Sequence, residues 1–413
     1  MARAAAPWPL GHILGDVIQG LRYLGRMKSR LFLTALVLLP VSVAQDATYF
    51  PARGHWERRE AAAVGMDAQA LSAAVDAAVA AEAATPVDLC AYISSTLANE
   101  PHGEIVGPVR DRGPMTGIAV RRGYVVASWG EPERVDMTFS VSKTYLSTVV
   151  GLASDRELIP DVQDRVSGLV QTHHFEGPHN GAITWDNLLR QTSNWRGEQF
   201  GKYDWADRPP RGVPVEDLPN LAVPAPGESW KYNDVRVNLL AYAALQVWRE
   251  PLPVVLRREV MDPIGASPTW RWHGYTTSWV ELDGQHIQSV SGGGHWGGGM
   301  HISAWDQARF GYLFLRHGRW QDRQLVSESW IAQARTPTDV QPTYGYMNWF
   351  LNTRGTRGLP LPSCPESAVT FRGAGANIVY LDWENDLLIV LRWVDSRKLD
   401  SVLAGFLGAI EAQ

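Results

Sequence analysis

Strand-like stretches stand near both ends of the chain and helical ones lie between them, without the strand–helix alternation of a parallel sheet. Gly117 to Gly130 (GIAVRRGYVVASWG) reads as two short strands joined by a turn at Arg121-Arg122-Gly123. At the other end, Ala368–Asp382 reads as strand, followed by a turn at Glu384-Asn385-Asp386 and a strand over Leu387–Trp393. An alanine-rich helix over Ala68–Ala84, capped by Asp67, precedes the first pair, and an apolar helix over Ser401–Glu411 closes the chain. A helix opens at Ser140 and runs to about Glu157. Further helical pieces fall at Val235–Val247 and Ser303–Arg316, in a region from Pro160 to about Thr338 rich in Trp, Pro and Gly. No internal repeat is present. The expected fold is therefore α+β: a mostly antiparallel sheet flanked by N- and C-terminal helices, with a helical region inserted over about 140–340.

The 413 residues leave room for two or three units and a substantial core. Acidic residues number 43 against 38 basic ones, with no basic stripe, which argues against nucleic acid as a partner. Only five of the basic residues are lysines (Lys28, Lys143, Lys202, Lys231 and Lys398), so a lysine inside a chemical motif carries weight. Residues 27–44 (MKSRLFLTALVLLPVSVA) have a positive start, an apolar stretch over Leu31–Val43 and small residues at Ser42-Val43-Ala44, the pattern of a secretory signal. Residues 1–44 are expected to be a signal peptide, with Met27 as an alternative start and an uncleaved membrane anchor as the rival reading. The expected compartment is the periplasm or exterior of a bacterium. Cys90 and Cys364 are compatible with one disulfide or with two separate buried thiols.

The chemistry centres on Phe139-Ser140-Val141-Ser142-Lys143. Residues three apart share a helix face, so the spacing sets Lys143 one turn from the Ser140 hydroxyl. Serine needs a neighbouring base to act as a nucleophile, and a desolvated lysine can take its proton. At a helix N-terminus, the Ser140 amide would also face a developing oxyanion.

From these residues outward the sequence resembles the serine β-lactamase and penicillin-binding protein superfamily, most closely its class C-like serine hydrolases, carboxylesterases and 6-aminohexanoate-oligomer hydrolases. The resemblance spans about residues 110–400. VDMTFSVSKTYLSTVVGLASDRELIPDVQDRV is similar to the nucleophile helix and the acidic loop after it. ITWDNLLRQTSNW (183–195) resembles an LLxxTSG segment, with Asn194 where glycine is usual. PGESWKYNDVRVNLL (226–240), GGGMHISAWDQARFGYLFL (297–315) and the closing strand pair follow in the family's order.

The resemblance implies a β-lactamase/transpeptidase-like fold, with residues 45–110 as an N-terminal extension and helix and 111–413 as the serine hydrolase domain. It implies that Ser140 forms an acyl-enzyme, that Lys143 holds the proton network and that Tyr232 acts as general base. The Ser140 and Ala374 amides would form the oxyanion site. Two departures fall in the cleft. Asp234 stands where asparagine is usual, and Phe371-Arg372-Gly373-Ala374 occupies the place of Lys-Thr-Gly. Phe371 thus replaces the cation that recognises a substrate carboxylate, which weakens the case for β-lactam or D-Ala-D-Ala substrates unless Arg372 substitutes.

The expected partner is a small-molecule ester or amide, and neither cofactor nor metal is required. Rival readings are a β-lactamase or D-alanyl-D-alanine carboxypeptidase and, in another class, a non-catalytic binding protein. Gly292-Gly293-Gly294-His295-Trp296-Gly297 fits G-x-G-x-x-G but lacks a βαβ setting, so it does not predict a dinucleotide site. His173, His174, His179 and Glu176 lack metal-ligand spacing, and no G-x-S-x-G elbow is present. Asp306 and Arg309 are expected to form a structural ion pair. Fifteen of the 18 tryptophans lie after Ser140 and mostly fill the core, while His295 and Trp296 are the candidates for a cleft wall.

Overall fold

The computed structural model describes residues 48–411, which belong to one compact unit. The expected signal segment lies outside the described residues. Strands β1 (Thr116–Arg121) and β2 (Tyr124–Trp129) are joined by a two-residue loop. Arg122 and Gly123 both take positive φ there, 50° and 88°, the handedness that matches strand twist in a tight hairpin. Four more strands complete an antiparallel sheet: β3 (Phe350–Leu351), β4 (Val369–Gly373), β5 (Asn377–Asp382) and β6 (Leu387–Arg392). Their order is β3-β4-β5-β6-β1-β2, so β1 pairs with β6 and ties the two ends of the domain together.

Strands β1, β5 and β6 are buried along their whole length, because both sheet faces are covered. On the outer face lie α1 (Ala68–Ala80) and the closing helix α5 (Leu399–Gly408). The side chain of Asp67 caps α1 by accepting from the Ala70 amide. The helices approach closely, since a Cβ on Gly405 would sit 3.3 Å from that of Ala74. Residues 48–110 are thus continuous with the domain's core rather than appended to it. On the inner face, α4 (Ala304–Leu315), capped by Ser303, packs on β5 and β6. Beyond it lie α2 (Ser142–Asp155) and α3 (Asp234–Trp248), both largely buried.

The closing segment differs from the expectation. Ala368–Asp382 is a hairpin rather than one strand, turned at Ala374–Ala376, where Gly375 and Ala376 take φ of 69° and 47°. The inserted region is not purely helical either. A second, four-stranded antiparallel sheet runs through it, built from Asp136–Met137, Gly299–Ile302, Arg271–Leu282 and Gln285–Val290. Its hairpin turns at Asp283-Gly284, again with both φ values positive. Asp306 and Arg309 serve separate bonds. Asp306 accepts from the Ser267 amide and hydroxyl, while Arg309 donates to the carbonyls of Pro51, Ala52, His55 and Ile264. Cys364 is buried as expected, but Cys90 is exposed, and both thiols are free. No described helix is long and apolar enough to cross a membrane.

Candidate active site

The chain enters the site through a strained turn. Phe139, buried against Trp393, takes φ 49°, a conformation that costs a non-glycine residue on the order of 1–3 kcal/mol. A single 3-10 turn over Phe139–Val141 then delivers Ser140 to the mouth of α2, so the helix proper opens two residues later than the sequence suggests. The two serines of the motif separate cleanly. Ser142 is fully buried and its hydroxyl accepts the Met300 amide at 2.7 Å, whereas Ser140 is half-buried and faces Lys143.

Lys143 Nζ donates to Ser140 Oγ at 2.8 Å and to Asp234 Oδ1 at 2.7 Å. Both charged side chains are inaccessible to solvent. Asp234 is placed by the start of α3, where the helix dipole favours a carboxylate and Asn233 caps the turn by accepting from the Arg236 amide. The other Asp234 oxygen lies 2.8 Å from Arg208 Nη1. Arg208 also bonds to Asp207 and to His295 Nδ1, and His295 Nε2 bonds to Glu100 at 2.8 Å. Asp207 in turn accepts the Asp234 amide.

Glu100, Asp207 and His295 bring potential ligand atoms within 4.8 Å of one another. The Arg208 guanidinium already supplies the positive charge among them, and both His295 nitrogens are engaged.

Tyr232 completes the centre. Its ring centroid lies 4.6 Å from Lys143 Nζ and 5.1 Å from the Arg208 guanidinium, and its hydroxyl is within hydrogen-bonding reach of Ser140. Burial pushes the Lys143 ammonium below its ordinary value, against the upward pull of Asp234. Burial alone would raise Asp234, but Lys143 and Arg208 prevail and hold it well below the usual carboxylate range. Burial, reinforced by Asp234, pushes the Tyr232 phenol up. The Ser140 hydroxyl and Arg208 act in the opposite direction on the phenol.

Glycines let the backbone close around this centre. A Cβ on Gly293 would fall 1.6 Å from Asp234 Oδ1 and 2.3 Å from Lys143 Nζ. The glycine tract discounted as a nucleotide motif thus has a different use, forming one wall of the Lys143–Asp234 pair. Gly373 meets Ser140 from the other side, since a Cβ there would lie 2.1 Å from the Thr138 carbonyl and 3.3 Å from the Ser140 amide. Ala374 follows at the exposed start of the β4–β5 turn. Asn194 keeps the conformation its position requires: it takes φ 47°, which asparagine tolerates better than most residues.

Two expected cleft residues, Phe371 and Trp296, lie in the core. Phe371 is fully buried against Phe314 and Trp349, because alternation along β4 turns it into the core. Arg372, on the opposite face, donates to Thr370 Oγ1 and lies 5.1 Å from the Phe350 ring. Trp296 is likewise buried, edge-on to Tyr275, while its neighbour His295 joins the Arg208 cluster. The aromatic neighbours of Tyr232 are the part-buried Trp230 and Phe350 and the buried Tyr344, with centroids 6.0–6.5 Å from its own. Sequence reasoning missed Arg208, Asp207, Glu100, Gly293 and Tyr344.

A beta-lactamase family profile matches residues 116–394, most of the domain, with Ser140, Lys143, Tyr232 and Asp234 inside the match. The chain belongs to the beta-lactamase family. Solved structures agree on its β-lactamase/transpeptidase-like fold. A "putative 6-aminohexanoate-dimer hydrolase from Bacillus anthracis" superposes with a TM-score of 0.50 at 13% identity, over 71% of this chain and 78% of its own. "EstCE1, a hydrolase with promiscuous acyltransferase activity" gives 0.53 at 16%, over 83% and 99%. A "family VIII carboxylesterase" gives 0.52 at 15%, over 83% and 98%. A search of curated proteins found no match.

Proposed function

We propose that this beta-lactamase family member is a secreted or periplasmic serine hydrolase that cleaves an ester or amide through an acyl-enzyme on Ser140. The observation that carries the proposal is the 2.8 Å bond from a desolvated Lys143 to the half-exposed Ser140 hydroxyl. Lys143 in its neutral form takes the Ser140 proton as Oγ attacks the carbonyl carbon. Tyr232, a phenol, donates its proton to the departing oxygen or nitrogen and regains one from the Lys143 ammonium, which holds the proton taken from Ser140. The amides of Ser140 and Ala374 stabilise the oxyanion, with Gly373 admitting the close approach. The part-buried Trp230 and Phe350 make the surroundings of Tyr232 aromatic, suited to an apolar acyl or leaving group. Esters have added support from the carboxylesterase among the similar structures.

The test is turnover of 4-nitrophenyl esters, 4-nitroanilides and a chromogenic cephalosporin by wild type and Lys143→Met. Ester or anilide hydrolysis is expected, with kcat/KM lower by about 10²–10⁴ in the variant. Equal rates in the two proteins, or silence of folded wild type on the whole panel, would overturn the proposal.

A further inference from the structure

We propose that Arg208 is a positioning residue that competes with Lys143 for the buried Asp234 carboxylate, leaving Lys143 free to accept the Ser140 proton. The inference rests on the proposed role of the Ser140–Lys143 pair and adds a control on its protonation. A lone carboxylate 2.7 Å from a buried lysine would hold that lysine as an ammonium, unable to act as a base. Asp234 is not alone with Lys143. Its second oxygen lies 2.8 Å from Arg208 Nη1, which also binds Asp207, so Lys143 and Arg208 each meet Asp234 on a separate oxygen.

Arginine suits this place because it stays charged across the working pH range and its planar fork can serve several acceptors. Asp207 shares Nη1 with Asp234 and His295 Nδ1 takes Nη2, while Glu100 accepts the Arg208 amide and anchors His295. The guanidinium is thereby held in register with Asp234. The groups that face Lys143 are Ser140, Asp234, the Tyr232 ring, Arg208 and Tyr344. Those around Arg208 are Asp207, Asp234, Tyr232, His295, Glu100 and Lys231. Of these, Arg208 is the cation in contact with the very carboxylate that binds Lys143, and like-charge repulsion favours neutral Lys143. The departure at Asp234 and the presence of Arg208 then have one explanation: the carboxylate orients the lysine, and the guanidinium limits how tightly it grips.

The experiment follows the rate of Ser140 labelling by a fluorophosphonate from pH 5 to 10, in wild type, Arg208→Gln and Arg208→Lys. Arg208→Gln is expected to move the acidic limb about one pH unit upward, with labelling roughly tenfold slower at pH 7 and recovering at more alkaline pH. Arg208→Lys should restore most of the wild-type profile. Slower labelling with an unmoved limb would overturn the proposal, because a structural role lowers the rate without changing the titration. If Arg208→Gln fails to fold, the pair Asp234→Asn and Arg208→Gln/Asp234→Asn replaces it and removes the carboxylate that binds Lys143. Loss of the guanidinium must again raise the limb, and coincident limbs would contradict the proposal. Failure of folded wild type to label at any pH would instead overturn the hydrolase reading beneath it.

Discussion

The departures at single residues are best understood through what each side chain touches. Asp234 in place of asparagine introduces a buried charge, which would be costly if isolated but is met by Lys143 and Arg208. Asn194 in place of glycine preserves a left-handed backbone. Gly293 has no freedom of the same kind, because Asp234 and Lys143 occupy the space a Cβ needs. Gly293→Ala should therefore separate the pair or shift the loop, at a cost of about 1–3 kcal/mol typical of overpacking. Thermal melting and ester turnover would fall together, and retention of both would show that the loop has slack. The Ser-x-x-Lys spacing made Ser140 and Lys143 legible in the sequence, because a helix converts spacing into proximity. Arg208 and Glu100 were not legible, since they reach Asp234 and His295 from loops 26 and about 195 residues away in a stretch without periodicity.

Among the elements, capping and turn chemistry proved the most readable signals. Asp67 and Ser303 cap their helices, and Arg122-Gly123 makes its hairpin as expected. The same logic applied to Asp283-Gly284 would have exposed the hairpin of the second sheet, since an Asp-Gly pair between apolar runs is a strong turn signal. Strand direction was the harder problem. Phe371 and Trp296 lie beside site residues in sequence, yet alternation and loop geometry turn both into the core. Trp296→Ala accordingly tests packing against substrate binding. A loss of about 3–5 kcal/mol, read as a lower melting temperature, is expected for so large a buried side chain. A higher KM at unchanged melting temperature would return Trp296 to the cleft.

For the molecule as a whole, the sheet joins the start and end of the domain, and the site lies where the Gly373 end of β4 meets the inserted region. The α+β architecture was legible because strands and capped helices are local signals, while the sheet order was not, because β1–β6 pairing joins residues far apart in sequence. Buried histidines give this body a pH signature. His301, on the second sheet, is pushed down to about 4 by burial and by His273, and His174 is held at a similar value. Unfolded histidine titrates near 6.5, so the unfolded chain binds more protons between those values and stability is lost as pH falls from about 6.5 to 4. His301 alone accounts for about 3 kcal/mol of that loss at most. Urea midpoints should decline over this window, and less so in His301→Gln; parallel declines in the two proteins would remove His301 from the account.

The central claim is that Ser140 is an activated nucleophile, and intact mass after exposure to a fluorophosphonate tests it most directly. The account predicts one adduct on the wild-type protein and none on Ser140→Ala. A folded wild type that gains no mass would contradict it, leaving the Ser140–Lys143–Asp234 arrangement as inherited architecture on a binding protein.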